Sequence, residues 1–304
     1  MDIGSVLQQM AVLFIILILG YLLNRLKALP PETNRVLSKI LLTICMPATI
    51  LGSVIGKEIS MSTSTVLLFA GLTLLTYILY FVVVWPIPPL LKADRENLGV
   101  YRFMGIFGNV GFMGFAITEA VFRGAAGFHV TIVNIVYMFI NFTIGIIMLT
   151  GGKGKLDPKL FLNAPLISGI VAVLLFIIRP PIPTVVGDTV SMLSKLTAPL
   201  GMLIIGSSLA TMPLRDVFND WRVYVLLAFK LLILPALVFV LLKLLRTDPF
   251  LIGVSVLMAG MPVATNITVL STIYGGNEKL GSKSVFISTL LSAGTIPLLV
   301  YLFL

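Results

Sequence analysis

Apolar runs of twenty or more residues, separated by short clusters of glycine, proline and charge, fill the chain from end to end. Each run is long enough for a helix to cross the ~30 Å hydrocarbon core of a bilayer. The first begins near Ser5, after Met1 and Asp2, and is followed by Arg25 and Lys27. It lacks a positive n-region, so it reads as a retained helix and not as a signal peptide. Reading on by apolar run and by breaker, the spacing predicts spans near 5–27, 33–55, 62–88, 96–122 and 126–150. A polar break, Gly151-Gly152-Lys153-Gly154-Lys155-Leu156-Asp157-Pro158, precedes five more, near 159–180, 185–211, 217–245, 249–274 and 280–303. The expectation is an all-α membrane protein of ten transmembrane helices, with no soluble domain of useful size.

The break at the midpoint prompts a search for duplication. A shift of 154 places Leu98-Gly99-Val100 on Ile252-Gly253-Val254, Met104 on Met258 and Gly127 on Gly281 without a gap. A shift of 156 places Leu37-Ser38-Lys39 on Leu193-Ser194-Lys195, and Pro30-Pro31 has a loose counterpart in Pro180-Pro181. A five-span unit crosses the membrane an odd number of times, so a second copy inserts upside down. Two inverted five-helix repeats, residues 1–150 and 156–304, are therefore expected, the arrangement of many secondary transporters.

Composition agrees with a bilayer and adds an orientation. Of 304 residues, 58% are hydrophobic and 11% charged, where soluble domains carry about a quarter charged. A net charge of +9 would point to nucleic acid in a soluble chain; here it is a topology label. With alternating sides, fourteen of the 21 Lys and Arg fall on one face: Arg25, Lys27, Arg35, Lys39, Lys92, Arg95, Arg102, Lys153, Lys155, Lys159, Arg215, Arg222, Lys279 and Lys283. The other face holds Lys57, Arg123, Arg179, Lys243 and Arg246. The positive-inside rule then expects both termini outside the cytoplasm, with the protein in the cell's inner membrane. A single cysteine, Cys45, and a single histidine, His129, leave few parts for disulfides, metal clusters or Ser-His catalysis. No Asp or Glu lies at mid-depth in any span, which argues against a cation exchanger and against an intramembrane protease. No enzyme activity and no cofactor are expected.

The chemistry concentrates in two spans. The fourth reads Tyr101-Arg102-Phe103-Met104-Gly105-Ile106-Phe107-Gly108-Asn109-Val110-Gly111-Phe112-Met113-Gly114, and the ninth Met258-Ala259-Gly260-Met261-Pro262-Val263-Ala264-Thr265-Asn266. Glycine also permits close helix packing, and membrane helices tolerate a proline kink. Breakers and an asparagine in both halves point further, to two discontinuous helices crossing near the bilayer centre. Their free amide ends favour an anion, and Asn109 and Asn266 both donate and accept hydrogen bonds. Lys230 is the deepest charge and reads as a structural cation balancing half-helix C-termini, with substrate contact as the alternative. Lys39 and Lys195 are expected to snorkel, and Arg102 to pack near headgroups. Glu119 and Arg123, at i and i+4, have the orientation of a surface ion pair. Asp188 and His129 read as interfacial.

These segments carry a resemblance. Gly108-Asn109-Val110-Gly111-Phe112-Met113-Gly114, the Gly201-Met202-Leu203-Ile204-Ile205-Gly206-Ser207-Ser208-Leu209-Ala210 stretch, and the ending Met261-Pro262, Tyr274, Ser288-Thr289 and Ile296-Pro297-Leu298 are similar to the auxin efflux carrier family. The likeness runs from Pro47 to the C-terminus. It implies a scaffold of spans 1, 2, 6 and 7, a mobile transport domain from the rest, crossing helices 4 and 9, elevator-type transport of organic anions, and a homodimer in membrane lipid. Plant carriers of the family have an Asn-Pro-Asn type crossover; here Asn109 stands alone in Gly-Asn-Val-Gly, which favours the bacterial branch of malate- or malonate-permease-like proteins. Family substrate contacts carry over onto Gly108, Asn109 and Gly111, and onto Pro262, Thr265 and Asn266. Asn134, Tyr137 and Asn141 of span 5 match by location. Two alternatives stay open: sodium or proton coupling of the bile-acid-symporter type, with sodium near Asn109, Thr265 and Asn266, and a sensor or lipid-binding module on the same fold.

Overall fold

The computed structural model describes residues 3–56, 62–151, 164–211, 218–274 and 276–304. The polar break beyond Gly151, and with it Lys153, Lys155 and Lys159, lies outside the described residues, as do Lys57 and Arg215. The described chain is helical, with no strand beyond one isolated bridge. Its helices are α1 (Ile3–Arg25), α2 (Glu32–Gly52), α3 (Thr63–Leu90), α4 (Leu98–Ile106), α5 (Phe112–Phe122), α6 (Gly127–Leu149), α7 (Ala164–Ile178), α8 (Thr184–Ser208), α9 (Trp221–Leu244), α10 (Pro249–Ala259), α11 (Asn266–Tyr274) and α12 (Glu278–Phe303). Among the described residues, six of these are long and apolar enough to cross a membrane, α2, α3, α6, α8, α9 and α12. Shorter apolar helices accompany them, so the chain is a multi-pass membrane protein.

Local chemistry sets the boundaries. Ser62 caps α3 by accepting from the Thr65 amide, Asp220 caps α9 through the Arg222 amide, Asp248 caps α10 through the Phe250 and Leu251 amides, and Asn277 caps α12 through Leu280. Pro249 follows its cap at the first helical position, where no amide hydrogen is needed. At the other ends, Lys27, Lys92, Arg123, Arg179 and Arg246 all take left-handed φ between 50° and 62°. A cation there suits the negative pole of the helix it terminates.

This geometry corrects the Glu119 and Arg123 pairing. Arg123 ends α5 in the left-handed conformation and leaves the helix surface on which an i, i+4 pair forms. Arg222 and Asp220 form an ion pair at 3.9 Å, and no such pair joins Glu119 to Arg123. Lys283, counted above with the loop cations, is buried in α12 and donates to Asn219 Oδ1 at 2.6 Å. Lys39, Lys195 and Asp188 are exposed. Arg102 stacks 3.9 Å from the Trp85 ring centroid and donates to the Trp85 carbonyl. His129 packs between the rings of Phe69 and Phe250.

Packing joins α1 to α8, and α2 to both α7 and α8. At the first contact Gly20 and Gly206 bring two backbones together: a Cβ on Gly206 would lie 1.8 Å from the Leu17 carbonyl oxygen. The α2–α8 contact is polar, with Thr49 Oγ1 and Thr197 Oγ1 2.6 Å apart. The remaining helices surround the two short pairs α4–α5 and α10–α11. Three π turns, Leu41–Cys45, Asn141–Gly145 and Phe229–Ile233, interrupt α2, α6 and α9. Such turns gather at functional sites, and two of these three carry Asn141 and Lys230.

Candidate functional site: the paired helix breaks

Helix α4 stops at Ile106, where Phe107 turns extended (φ −93°, ψ 116°), and α5 starts at Phe112. Helix α10 stops at Ala259, and α11 starts at Asn266. The two unwound stretches pair with each other as an antiparallel bridge between Gly108 and Val263. The Asn109 amide donates to the Pro262 carbonyl at 2.7 Å, and the Ala264 amide to the Phe107 carbonyl at 3.1 Å. Backbone groups that lipid would leave unsatisfied are thereby satisfied inside the protein, the condition for unwound chain at this depth. Gly108 permits the approach: a Cβ there would sit 3.3 Å from both Met261 and Lys230 Nζ.

Side chains complete the support. Asn109 is 5% exposed, and its Oδ1 accepts from the Phe112 amide at 3.2 Å, capping α5 from three residues upstream. Its Nδ2 is buried with no partner. Asn134 Nδ2 donates to the Val110 carbonyl at 3.0 Å and lies across from Gly111, whose Cβ would be 3.5 Å from Asn134 Oδ1. On the same face of α6, Tyr137 donates to Asn266 Oδ1 at 3.3 Å, while Asn266 Nδ2 donates to Asn141 Oδ1 at 2.8 Å. Asn141 Nδ2 is a second buried amide donor without a partner. Lys230 Nζ donates to the Ile106 carbonyl, the end of α4, at 3.4 Å.

Gly108, Asn109, Gly111, Pro262, Asn134, Tyr137 and Asn266 therefore meet around the breaks, directly or through one neighbour. Thr265 lies at the turn before α11, half-buried, with no side-chain hydrogen bond among the described residues. The two asparagines are not equivalent. The 154-residue register matches α5 at Phe112 to α11 at Asn266, so the mate of Asn109 is Val263. Asn109 lies in the unwound stretch; Asn266 opens a helix.

The chain matches the family model described as membrane transport protein, over residues 5–159 and 153–300. The chain belongs to this family. It is the auxin efflux carrier family of the resemblance above, and its members are transporters and not enzymes. An uncharacterized transporter of Methanocaldococcus jannaschii is 27% identical, across 94% of this chain and 95% of its own. A Rhizobium meliloti protein named "Putative malonate transporter" is 26% identical, across 95% and 93%. An uncharacterized transporter of Methanothermobacter thermautotrophicus is 25% identical, across 97% of both.

Ser288 is among the residues that carry the resemblance, but sequence reasoning gave it no part in the site. Its Oγ accepts from the Val263 amide at 3.0 Å, so α12 supports the second break as Asn134 of α6 supports the first. The 154 shift places Asn134 on Ser288. A second signal was available: Ser284, Ser288 and Ser292, spaced by four on one face, are all fully buried. Ser288→Ala leaves the Val263 amide buried and unpaired, a cost of about 1–3 kcal/mol. The expected result is a thermal midpoint lowered by several degrees in detergent. An unchanged midpoint would show that the amide finds another partner.

Proposed function

We propose that the protein is a secondary carrier of small organic anions, mono- or dicarboxylates, working by elevator-type alternating access. The observation that carries this reading is the pair of buried, unpartnered amide donors, Asn109 Nδ2 and Asn141 Nδ2, beside two paired helix breaks. Buried polar groups without partners are rare enough to need a reason, and two N–H donors near the positive ends of α5 and α11 suit a carboxylate. Family membership and the name of the Rhizobium meliloti relative favour a small dicarboxylate such as malonate.

In this reading the ten spans are two inverted five-helix repeats, residues 1–150 and 156–304, with α4–α5 and α10–α11 as the crossing pairs. Helices α1, α2, α7 and α8 form the fixed scaffold and the site of homodimer contact; the other helices move with the anion through the inner membrane, both termini lying outside the cytoplasm. Asn109 Oδ1 and Asn266 Oδ1 already accept hydrogen bonds from Phe112 and Tyr137, which makes them weak sodium ligands and favours uncoupled transport. The test is uptake of labelled malonate and other mono- and dicarboxylates into proteoliposomes. The expected result is saturable flux that needs neither a sodium nor a proton gradient. Specific binding without flux of any of them would instead establish a sensor on the same fold.

A further inference from the structure

Lys230 is 1% exposed, and the carbonyl end of α4 is the compensation its ammonium meets among the described residues. It makes one long hydrogen bond, 3.4 Å to the Ile106 carbonyl, and lies 5.4 Å from the Tyr80 ring centroid. No carboxylate pairs with it among the described residues. An ammonium with three donors, held in the membrane by one carbonyl and one ring face, is costly unless something else neutralises it.

Beside it is a cavity of about 10 Å³, lined by Lys230, Tyr77, Tyr80, Thr73, Thr76 and Ser255, and by Gly108 and Val110. That is room for about one water-sized sphere. Thr73 and Thr76 spend their hydroxyl protons on the Phe69 and Thr73 carbonyls. The Tyr77 and Ser255 hydroxyls have no hydrogen-bond partner among the described residues, which leaves their donors to the cavity. The lining thus offers a formal positive charge, free hydroxyl donors and no acid. It adjoins the candidate carboxylate site through Gly108 and Val110 but is lined by none of the Asn109, Asn134, Tyr137, Asn141 or Asn266 side chains.

The geometry points to a binding site for one halide-sized inorganic anion, chloride in the cell, held by the Lys230 ammonium and the hydroxyls of Tyr77 and Ser255. This inference does not rest on the protein being a carrier. A halide, somewhat wider than a water, would supply the missing countercharge and accept hydrogen bonds from the free hydroxyls once the lining side chains give slightly, whereas sulfate is far larger than the space.

The test uses purified full-length protein in detergent, wild type and Lys230→Met, unfolded thermally in sodium chloride, sodium bromide or sodium sulfate at matched ionic strength. Crystals grown in bromide are measured at the bromine absorption edge. Chloride and bromide are expected to raise the wild-type midpoint by about 3 °C more than sulfate does. That difference should vanish in Lys230→Met, and a bromine peak should appear beside Nζ. Ser255→Ala and Tyr77→Phe, which keep the ammonium, should each shrink the halide increment and supply the readout if Lys230→Met does not fold. Equal salt responses in wild type and variants overturn the proposal, as does a cavity without a bromine peak. A peak without any halide-dependent midpoint shift would mark an adventitious ion only and overturn it equally.

Discussion

Asn109→Ala is expected to abolish most transport while leaving a protein that folds and inserts. The alanine removes two things. One is the cap that Asn109 Oδ1 provides to the Phe112 amide, worth about 1 kcal/mol. The other is the unpartnered Nδ2 donor. If that donor meets a carboxylate, the lost hydrogen bond is worth about 1.5–3 kcal/mol, or roughly 10- to 100-fold in affinity. Asn109→Asp separates the two contributions. It keeps an acceptor for the Phe112 amide, and its charge suits the start of α5, so the cap survives, while the second oxygen carries the cost of a buried charge that a thermal midpoint reads separately. The same charge repels an anionic substrate, and binding should fall at least as far as in the alanine variant. A thermal-shift screen over mono- and dicarboxylates, followed by flux in proteoliposomes, measures both. Wild-type affinity in Asn109→Asp would show that no anion approaches this residue.

Much of this site was legible in the sequence, because breakers in a membrane span are costly and stand out. Gly108, Gly111 and Pro262 interrupt apolar runs where unwound backbone is costly, and both helices break at these residues. Helix starts left a weaker trace: Ser62, Asp220, Asp248 and Asn277 cap the runs that follow them, but apolar spacing alone places those runs only near 62, 217, 249 and 280. What remained hidden depends on one-residue differences in hydrogen bonding. A π turn has no composition of its own, so nothing in Asn141–Gly145 or Phe229–Ile233 announces the widened turns that carry Asn141 and Lys230. Glu119 and Arg123 have the spacing of an ion pair, yet the chain leaves the helix at Arg123, and spacing cannot report a φ of 50°. Asn266 looked like the mate of Asn109 because both are asparagines near breakers. The 154-residue register, matched at the starts of α5 and α11, instead makes Val263 the mate of Asn109, and the Val263 backbone amide is served by Ser288.

Gly206→Ala is expected to have the largest effect on the amount of folded protein, and to act far from the breaks. The added Cβ would stand 1.8 Å from the Leu17 carbonyl oxygen and 2.9 Å from the Tyr21 amide nitrogen; across the same contact, a Cβ on Gly20 would stand 2.3 Å from the Leu203 carbonyl oxygen. Backbone faces backbone here, so no side chain can rotate away. Restoring ordinary contact distances of ~3.5 Å requires α1 and α8 to separate by more than an ångström. In a membrane that loss is not made good by apolar burial, since lipid tails are as apolar as the helices they replace. A cost at or above about 3 kcal/mol follows, the upper end for overpacking. Gly71→Ala and Gly294→Ala are the controls, because a Cβ at either meets nothing within 4 Å. Both lie inside helices, where alanine is the better former by up to about 1 kcal/mol, so they should be neutral or slightly stabilising. Membrane yield and thermal midpoint distinguish the three. The contrast with Asn109 is the sharper point. Gly206→Ala should leave fewer folded molecules, each binding its anion with wild-type affinity. Asn109→Ala should leave a near-normal population that has lost its ligand. Reduced affinity in the folded fraction of Gly206→Ala would mean that the α1–α8 contact and the paired breaks are coupled rather than independent.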